Sequence, residues 1–461
     1  MMENKAVFKE FATEFRGEMI LPEDDQYDAA RQLWNGLYDR YPAGVARCES
    51  PQEVIAAVNF ARENDVMVAV KGGGHDYAGN SVCNDGLVID LSPMHKVEVD
   101  EHQKTARVEG GATVGQFDAK AQKYGLATTT GTASNIGIGG LALGGGSGYL
   151  SRRFGMTIDN VLSVDIVTAE GNLVKANESE NEDLFWAVRG GGGNFGIVTA
   201  FKFKLHEVGP EVLSFQAYFP YEDSGLVLQF YREFMRKAPD ELSCYAFFLK
   251  VPPVEPFPPE YHGKTTCAFI ACHSGNPEKG RAELQSLKTF GNPFLSFIQP
   301  MEYTAIQKSF DAGMPKGLRW FTRAHYLDKL SDTAIETLIK NTELLPGPFT
   351  VAYLEPMGGE VNRVDLAATA FPHRDAAYSL HIFPGWDDPS KDGENIKWAK
   401  EFSRAMQIEA TGGVYVNLLS QDEKERVKAA YGENYDRLAR VKRKWDPDNF
   451  FSMNHNIVPE G

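Results

Sequence analysis

Residues 66–79 read VMVAVKGGGHDYAG, an apolar run that ends in three glycines, a histidine and an aspartate. The run from Val66 to Val70 has no polar position, which is the pattern of a short buried strand. Gly72, Gly73 and Gly74 let the backbone turn through positive φ and come close to a ligand. Successive N–H groups in such a loop make a concavity suited to a pyrophosphate. His75 and Asp76 follow directly, where the histidine ring would overlook whatever the phosphates carry. Taken alone, the stretch reads first as a tight strand-to-loop turn.

Two further glycine tracts change that reading: GTASNIGIGGLALGGGSGYLSRRFG at 131–155 and RGGGGNFGIVTAFKF at 189–203. Three tracts within about 200 residues suggest backbone wrapped along one extended dinucleotide. The third tract holds Gly191, Gly193 and Gly196 in a G-x-G-x-x-G pattern. In a nucleotide-binding βαβ unit that pattern follows a strand and opens a helix. Here a helical stretch, 183–188, precedes it and an alternating strand, 197–205, follows, so a nicotinamide-type site is rejected.

Length and composition set the frame. At 461 residues, two domains and sizeable cores are expected. The net charge of −16 argues against nucleic acid and anionic membrane as partners. No apolar run approaches the ~20 residues of a membrane span. MMENKAVFKEF lacks the apolar core of a signal peptide, and five scattered cysteines suit a reduced cytoplasm. Cys267, Cys272 and His273 cluster, but TTCAFIAC reads as a strand and no second ligand pair follows.

The first 50 residues carry little chemistry. Ser50-Pro51-Gln52-Glu53 is a capping box, and Val54, Ala57, Val58 and Ala61 recur at helical spacing. Leu87–Leu91 is a strand. Thr113 caps a helix stopped at Gly125, and 161–167 with 173–176 form a hairpin. From about residue 209 the glycine tracts vanish. Strands are expected at 212–219, 244–251, 265–272, 349–355 and 378–383, with helices at 225–237, 277–289, 332–343 and 396–406. This is an α+β domain, one antiparallel sheet covered by helices.

The ordered tracts resemble the berberine bridge enzyme-like branch of the vanillyl-alcohol-oxidase flavoproteins. Supporting segments are LVIDLSPM (87–94), DNVLSVDIVTAEG (159–171), DLFWAVRGGGGNFGIVT (183–199), YVNLL (415–419) and YGENYDRLARVKRKWDPDNFF (431–451). The resemblance implies a two-lobed FAD-binding domain of the PCMH type at 1–208 and a substrate domain at 209–410. Residues 411–461 would return to the first domain. It implies FAD-dependent oxidation of a hydroxyl- or amine-bearing small molecule, with molecular oxygen or another electron acceptor. Two alternatives stay open: a noncovalent FAD reductase of the same fold class, and a flavin-carrying binder without turnover.

Roles for particular residues also follow from the resemblance. His75 would be bonded through a ring nitrogen to the 8α-methyl of FAD, and a neutral imidazole is a suitable nucleophile. Many relatives carry cysteine at the position of Ala133, which has no thiol, so a second covalent bond is excluded there. Ile136 stands where valine goes with oxygen reactivity and a bulkier residue obstructs it, which tilts the reading towards a dehydrogenase. Backbone contacts to FAD would come from Gly72, Gly73, Gly74, Thr132, Gly139, Gly140, Gly144, Gly145 and Gly148. Ile197 and Val198 would run along the adenine or ribose, and Asn417 near the isoalloxazine. Lys71 would stand as a cation beside the phosphates. For the base, Tyr415 leads, provided that its pKa falls well below ~10. Tyr77 would assist it. Ser379 takes the place of a catalytic glutamate of some relatives, and His381, two residues on, projects to the same face as a second candidate. Glu355 and Tyr353 share one strand face and read either as pocket wall or as ordinary sheet surface.

Overall fold

The computed structural model describes residues 2–461, with side chains from Ala6 onward. The strand that ends at the glycine loop, Val68–Lys71, sits at the edge of a four-stranded sheet, pairing in parallel with Leu87–Asp90. Leu87–Asp90 pairs in parallel with Gly44–Arg47 as well, and Glu18–Ile20 closes the far edge antiparallel. The helix Pro51–Glu63 crosses over between Gly44–Arg47 and Val68–Lys71. Ser50 caps it by accepting from Glu53 N, and Val54, Ala57, Val58 and Ala61 are buried against the sheet.

A second, antiparallel sheet of five strands has the order Val97–Asp100, Thr105–Glu109, Ile197–Lys204, Val161–Val167, Leu173–Asn177. The third glycine tract leads from the helix Glu182–Val188 into its central strand. That is the reverse of a nucleotide-binding βαβ order. The helix Val114–Ala121 carries a complete capping box between Thr113 and Gln116, and Gly125 ends the stretch in the left-handed region at φ 64°.

The third sheet roofs the site. Its seven antiparallel strands run in the order Leu295–Glu302, Glu211–Pro220, Thr265–His273, Leu242–Lys250, Val351–Pro356, Tyr378–Phe383, Arg323–Leu327. Strand alternation divides its faces. Phe215, Ala217, Phe219, Cys244, Ala246 and Phe248 pack under helices that include Ser224–Met235, Pro277–Thr289, Asp332–Thr342 and Asp392–Met406. Each large apolar side chain buried there contributes roughly 1.5–3 kcal/mol. The alternate residues, including Tyr218, Tyr245 and Phe247, face a cavity. The same parity places Cys267 in the helix-covered core and Cys272 on the opposite face, while His273 bonds Glu283 at 2.8 Å.

The C-terminal segment ties the parts together. Tyr415 accepts from Gly146 N, and Lys442 Nζ donates to Asn194 O at 2.7 Å. Arg323 of the seven-stranded sheet pairs with Asp422 and Glu423. The N-terminal segment also reaches across, with Asn35 bonding the backbone of Trp320 through both ends of its amide.

Candidate active site

One cavity of about 1230 Å³ runs from the glycine tracts to the seven-stranded sheet. It is larger than the roughly 300–1,000 Å³ of an ordinary small-ligand pocket, so a dinucleotide and a substrate fit together. Sixteen of the residues expected to bind the cofactor or act in catalysis line it: Gly72, Gly73, Gly74, His75, Asp76, Tyr77, Thr132, Ala133, Ile136, Gly139, Gly140, Ile197, Val198, His381, Tyr415 and Asn417.

The glycines have separate reasons. A Cβ on Gly73 would lie 2.5 Å from Gly137 N, and one on Gly137 would lie 2.4 Å from Gly73 N. The first two tracts therefore touch backbone to backbone, and neither tolerates a side chain there. Gly140 and Gly193 face open cavity, and a Cβ on either would meet nothing within 4 Å. The loop after Gly74 is fixed by Asp76, whose two oxygens accept from Ala78 N and Asn80 N at 2.8 Å each.

Four expected cofactor contacts do not line the cavity. Gly144, Gly145 and Gly148 are needed for packing instead. A Cβ on Gly144 would fall 2.0 Å from Asn417 Oδ1, one on Gly145 would crowd Met156 and Tyr415, and one on Gly148 would strike Thr130 O. Lys71 stands in register opposite Asp90 on the parallel strand pair. Its Nζ is held by Asp90 at 3.0 Å and by Ala30 O at 2.6 Å, so its charge is neutralised beneath the loop.

His75 is stacked on Trp34, ring centroids 4.3 Å apart, and Trp34 is stacked on Trp320. Burial holds the imidazole pKa down at about 4, with Asn135 pulling weakly the other way. The ring is therefore neutral near pH 7. Its Nε2 is buried without a hydrogen-bond partner. Sequence reasoning assigned no role to the first 50 residues and so missed Trp34. The one available signal was an aromatic in a short polar loop, which is weak.

At the other end, Glu355 is 5% exposed and carries the only carboxylate that the seven-stranded sheet directs into the cavity, among the described residues. It accepts from Ser147 Oγ at 3.1 Å and from Tyr245 Oη at 3.2 Å. His381 Nε2 lies 3.3 Å from Glu355 Oε2 but off the line of a hydrogen bond, and neither ring nitrogen has a hydrogen-bond partner. The His381 ring stacks on Tyr353, centroids 4.4 Å apart. Glu355 is in register opposite Ser379. Ser379 brings no carboxylate to this face, and the nearest one across the strand pair is that of Glu355. Of the two readings of Glu355 and Tyr353, pocket wall is the one the geometry gives.

Tyr415 is buried, and its hydroxyl oxygen accepts from Gly146 N at 2.8 Å and Asn417 Nδ2 at 3.0 Å. The amide donors expected around a tyrosinate are present. Burial nevertheless outweighs them and pushes the phenol well above its ordinary range. Burial raises Tyr77 in the same way.

This architecture, with glycine tracts lining one end of a cavity and a substrate sheet the other, is that of an FAD-linked oxidoreductase. The family description "FAD binding domain" matches residues 42–177, and "Berberine and berberine like" matches 414–458. An FAD-linked oxidoreductase of Dictyostelium discoideum is 31% identical over 459 residues, covering 98% of this chain and 97% of the relative. The (R)-6-hydroxynicotine oxidase of Paenarthrobacter nicotinovorans is 29% identical over 97% of each chain. The crystal structure of 6-hydroxy-D-nicotine oxidase from Arthrobacter nicotinovorans superposes with a TM-score of 0.87 at 26% identity, covering 97% of this chain and 98% of the other. The chain belongs to the berberine bridge enzyme-like FAD-linked oxidoreductases of the PCMH-type FAD-binding family.

The residues present fit FAD. His75 offers an unpartnered nitrogen, and glycines with open space beside them line the same cavity.

Proposed function

We propose that this enzyme oxidises a small molecule at a carbon bearing a hydroxyl or an amine, and that His75 carries FAD covalently as its single protein linkage. FAD, when bound, supplies the acceptor for the hydride. The backbone of 72–74, 139–140 and 193 would hold the dinucleotide. His75 would hold it through a neutral imidazole whose Nε2 has no other partner, and Trp34 keeps that ring oriented by stacking. Among the described residues no cysteine lines the cavity, which supports one linkage rather than two.

The substrate's proton goes to the Glu355–His381 pair. The carrying observation is that His381 is buried, faces the cavity, and has both ring nitrogens free with a carboxylate 3.3 Å behind one of them. Tyr415, held as a phenol, lends its hydroxyl as a hydrogen-bond group and not as the base. Reoxidation draws on molecular oxygen or another acceptor, and Ile136 on the cavity wall bears on which. The relative named for 6-hydroxynicotine supports oxidation of a small molecule.

The test is anaerobic mixing of the holoenzyme with alcohols, sugars and amines while flavin absorbance is followed. Bleaching by at least one class supports turnover. Absence of bleaching by all of them favours a flavin-carrying binder. Retention of yellow colour on the acid-precipitated protein, with the flavin on a peptide containing residues 71–79, tests the linkage.

A further inference from the structure

Residues 451–457 bring a histidine to the glycine tracts from a part of the chain far away in sequence. Hydrogen bonds enforce the placement. Asn194, in the third tract, donates through Nδ2 to His455 O at 3.3 Å and accepts through Oδ1 from Ile457 N at 2.9 Å. The Tyr431 hydroxyl also donates to His455 O, at 3.4 Å, and Asn454 Nδ2 reaches Gly193 O at 3.4 Å. The buried Lys442 donates to Asn194 O at 2.7 Å and to Phe451 O at 3.0 Å, so one cation fastens tract and segment together. With the backbone held in this way, the His455 side chain is half-buried and open to the cavity. Neither of its ring nitrogens has a hydrogen-bond partner among the described residues.

The glycine tracts themselves bring no positive charge to the cavity. A pyrophosphate diester is doubly anionic near neutral pH, and a buried charge is costly unless a counter-charge or several donors meet it. The N–H groups of a glycine loop supply donors but no net charge. Among the described residues, the only lysine or arginine lining the cavity is Lys250, which ends the strand Leu242–Lys250 of the seven-stranded sheet, and Lys71 is neutralised by Asp90. His455 is the titratable donor that remains beside the tracts. Gly193, bonded to the neighbouring Asn454, faces open cavity, and the Asp76 carboxylate of the first loop acts on the His455 ring. The other titratable groups around it are occupied. Asp76 accepts from Ala78 N and Asn80 N, Lys442 is paired with Asp446 at 2.6 Å, and burial holds Tyr431 as a phenol. Burial also keeps the His455 ring below the ordinary histidine range, with Asp76 opposing. An anion in the cavity would act in the same direction as Asp76.

We infer that His455 completes the pyrophosphate site of bound FAD, as an imidazolium that donates a ring N–H to a phosphate oxygen and supplies the positive charge that the glycine loops lack. The inference rests on the cavity being an FAD site, but neither on the linkage at His75 nor on turnover. It fixes the sign of a pH dependence. A proton is taken up with the cofactor, so the grip strengthens as pH falls through the pKa of the bound imidazolium and fades above it.

Phosphorus NMR of the holoenzyme tests this. A pyrophosphate diester has no proton of its own to lose between about pH 5.5 and 9, so an inflection in its resonances reports a neighbouring group. At least one FAD phosphorus resonance of the parent should titrate in that range. In His455→Gln, which keeps a neutral donor, the inflection should be lost. Affinity gives a second readout, in a His75→Ala background where FAD is held without the linkage. Adding His455→Leu there should weaken FAD binding about 10- to 100-fold at pH 6, the range for a hydrogen bond between charged groups, and by less at pH 9. Flat phosphorus resonances in the parent overturn the inference. So does an inflection that survives in His455→Gln, which would assign the titration to another group, or a loss of affinity in His455→Leu that is equal at both pH values, which would mark a packing role. Should either variant fail to fold, the titration of the parent and the other variant still decide. A flavin that proves noncovalent, or a holoenzyme that oxidises nothing, would refute the function proposed above and leave these measurements intact.

Discussion

Replacing Tyr415 by phenylalanine removes one buried oxygen and tests which group takes the proton. That oxygen accepts from Gly146 N and from Asn417 Nδ2. Asn417 keeps other acceptors, the carbonyls of Gly140 and Leu141 at 3.4 Å, whereas the Gly146 N–H has no other acceptor among the described residues. One orphaned buried donor costs about 1–3 kcal/mol, so urea denaturation should show a stability loss of that size. Because burial raises the phenol pKa above its unfolded value, its contribution is present in full below pH ~10 and is lost as pH climbs through the folded value. Tyr415→Phe should therefore flatten part of the alkaline fall in stability. The kinetic effect should be small. A group that stays a phenol at pH 7–9 is not the general base, and its loss should slow flavin bleaching less than about tenfold, against the ~10²–10⁴-fold typical of a lost base. Anaerobic stopped-flow at saturating substrate, from pH 6 to 10, measures this, with Glu355→Gln alongside. If Tyr415→Phe slows bleaching a hundredfold while Glu355→Gln stays near the parent rate, the assignment of the base to the Glu355–His381 pair is wrong.

Three other outcomes are expected. With the His75 pKa held at about 4, covalent attachment of FAD to apoprotein should be independent of pH from 6 to 8; a rate that drops as pH falls through 6.5 would show an ordinary imidazole. If Ile136 obstructs oxygen, reduced enzyme should reoxidise slowly in air and Ile136→Val should speed it markedly; fast reoxidation of the parent removes that role. Asp118 is fully buried, and its pKa is pushed up to about 7 by burial, with Gln307 opposing. A carboxyl raised in the folded state costs stability as pH rises from about 4 to 7. Asp118→Asn should therefore flatten that slope and stabilise the protein at pH 8 by at most about 4 kcal/mol, read by denaturant titration.

The flavin end of the molecule was legible from sequence because its demands fall on backbone. A glycine loop after an apolar strand leaves a signature that survives without coordinates, and the 72–74, 131–140 and 191–196 tracts do line one cavity. Its errors had the same source. Glycine excludes a side chain for any reason, and Gly144 and Gly145 exclude one so that Asn417 and Tyr415 can pack. The substrate end was harder. The strand Arg323–Leu327 went unseen because it opens on a buried arginine, whose compensation by Asp422 and Glu423 lies about 100 residues away. The strand Leu295–Glu302 is a half-buried edge containing Pro300. The helix ending at Met406 begins four residues earlier than periodicity indicates, since Asp392, Gly393 and Glu394 form a polar first turn. Glu355 and Ser379 face each other only once the register of two strands is known.

The seven-stranded sheet spends its two faces on different tasks, and the unit of division is a single residue. Phe248 belongs to the helix-covered core while Phe247 meets the substrate space; Leu354 and Glu355 divide in the same way. Stability and selectivity are thus written on alternate letters of the same strands. A lineage could rewrite every second letter, exchanging one substrate for another, and leave the packed layer beneath unaltered. That freedom separates what the strands owe to packing from what they owe to the molecule in the cavity.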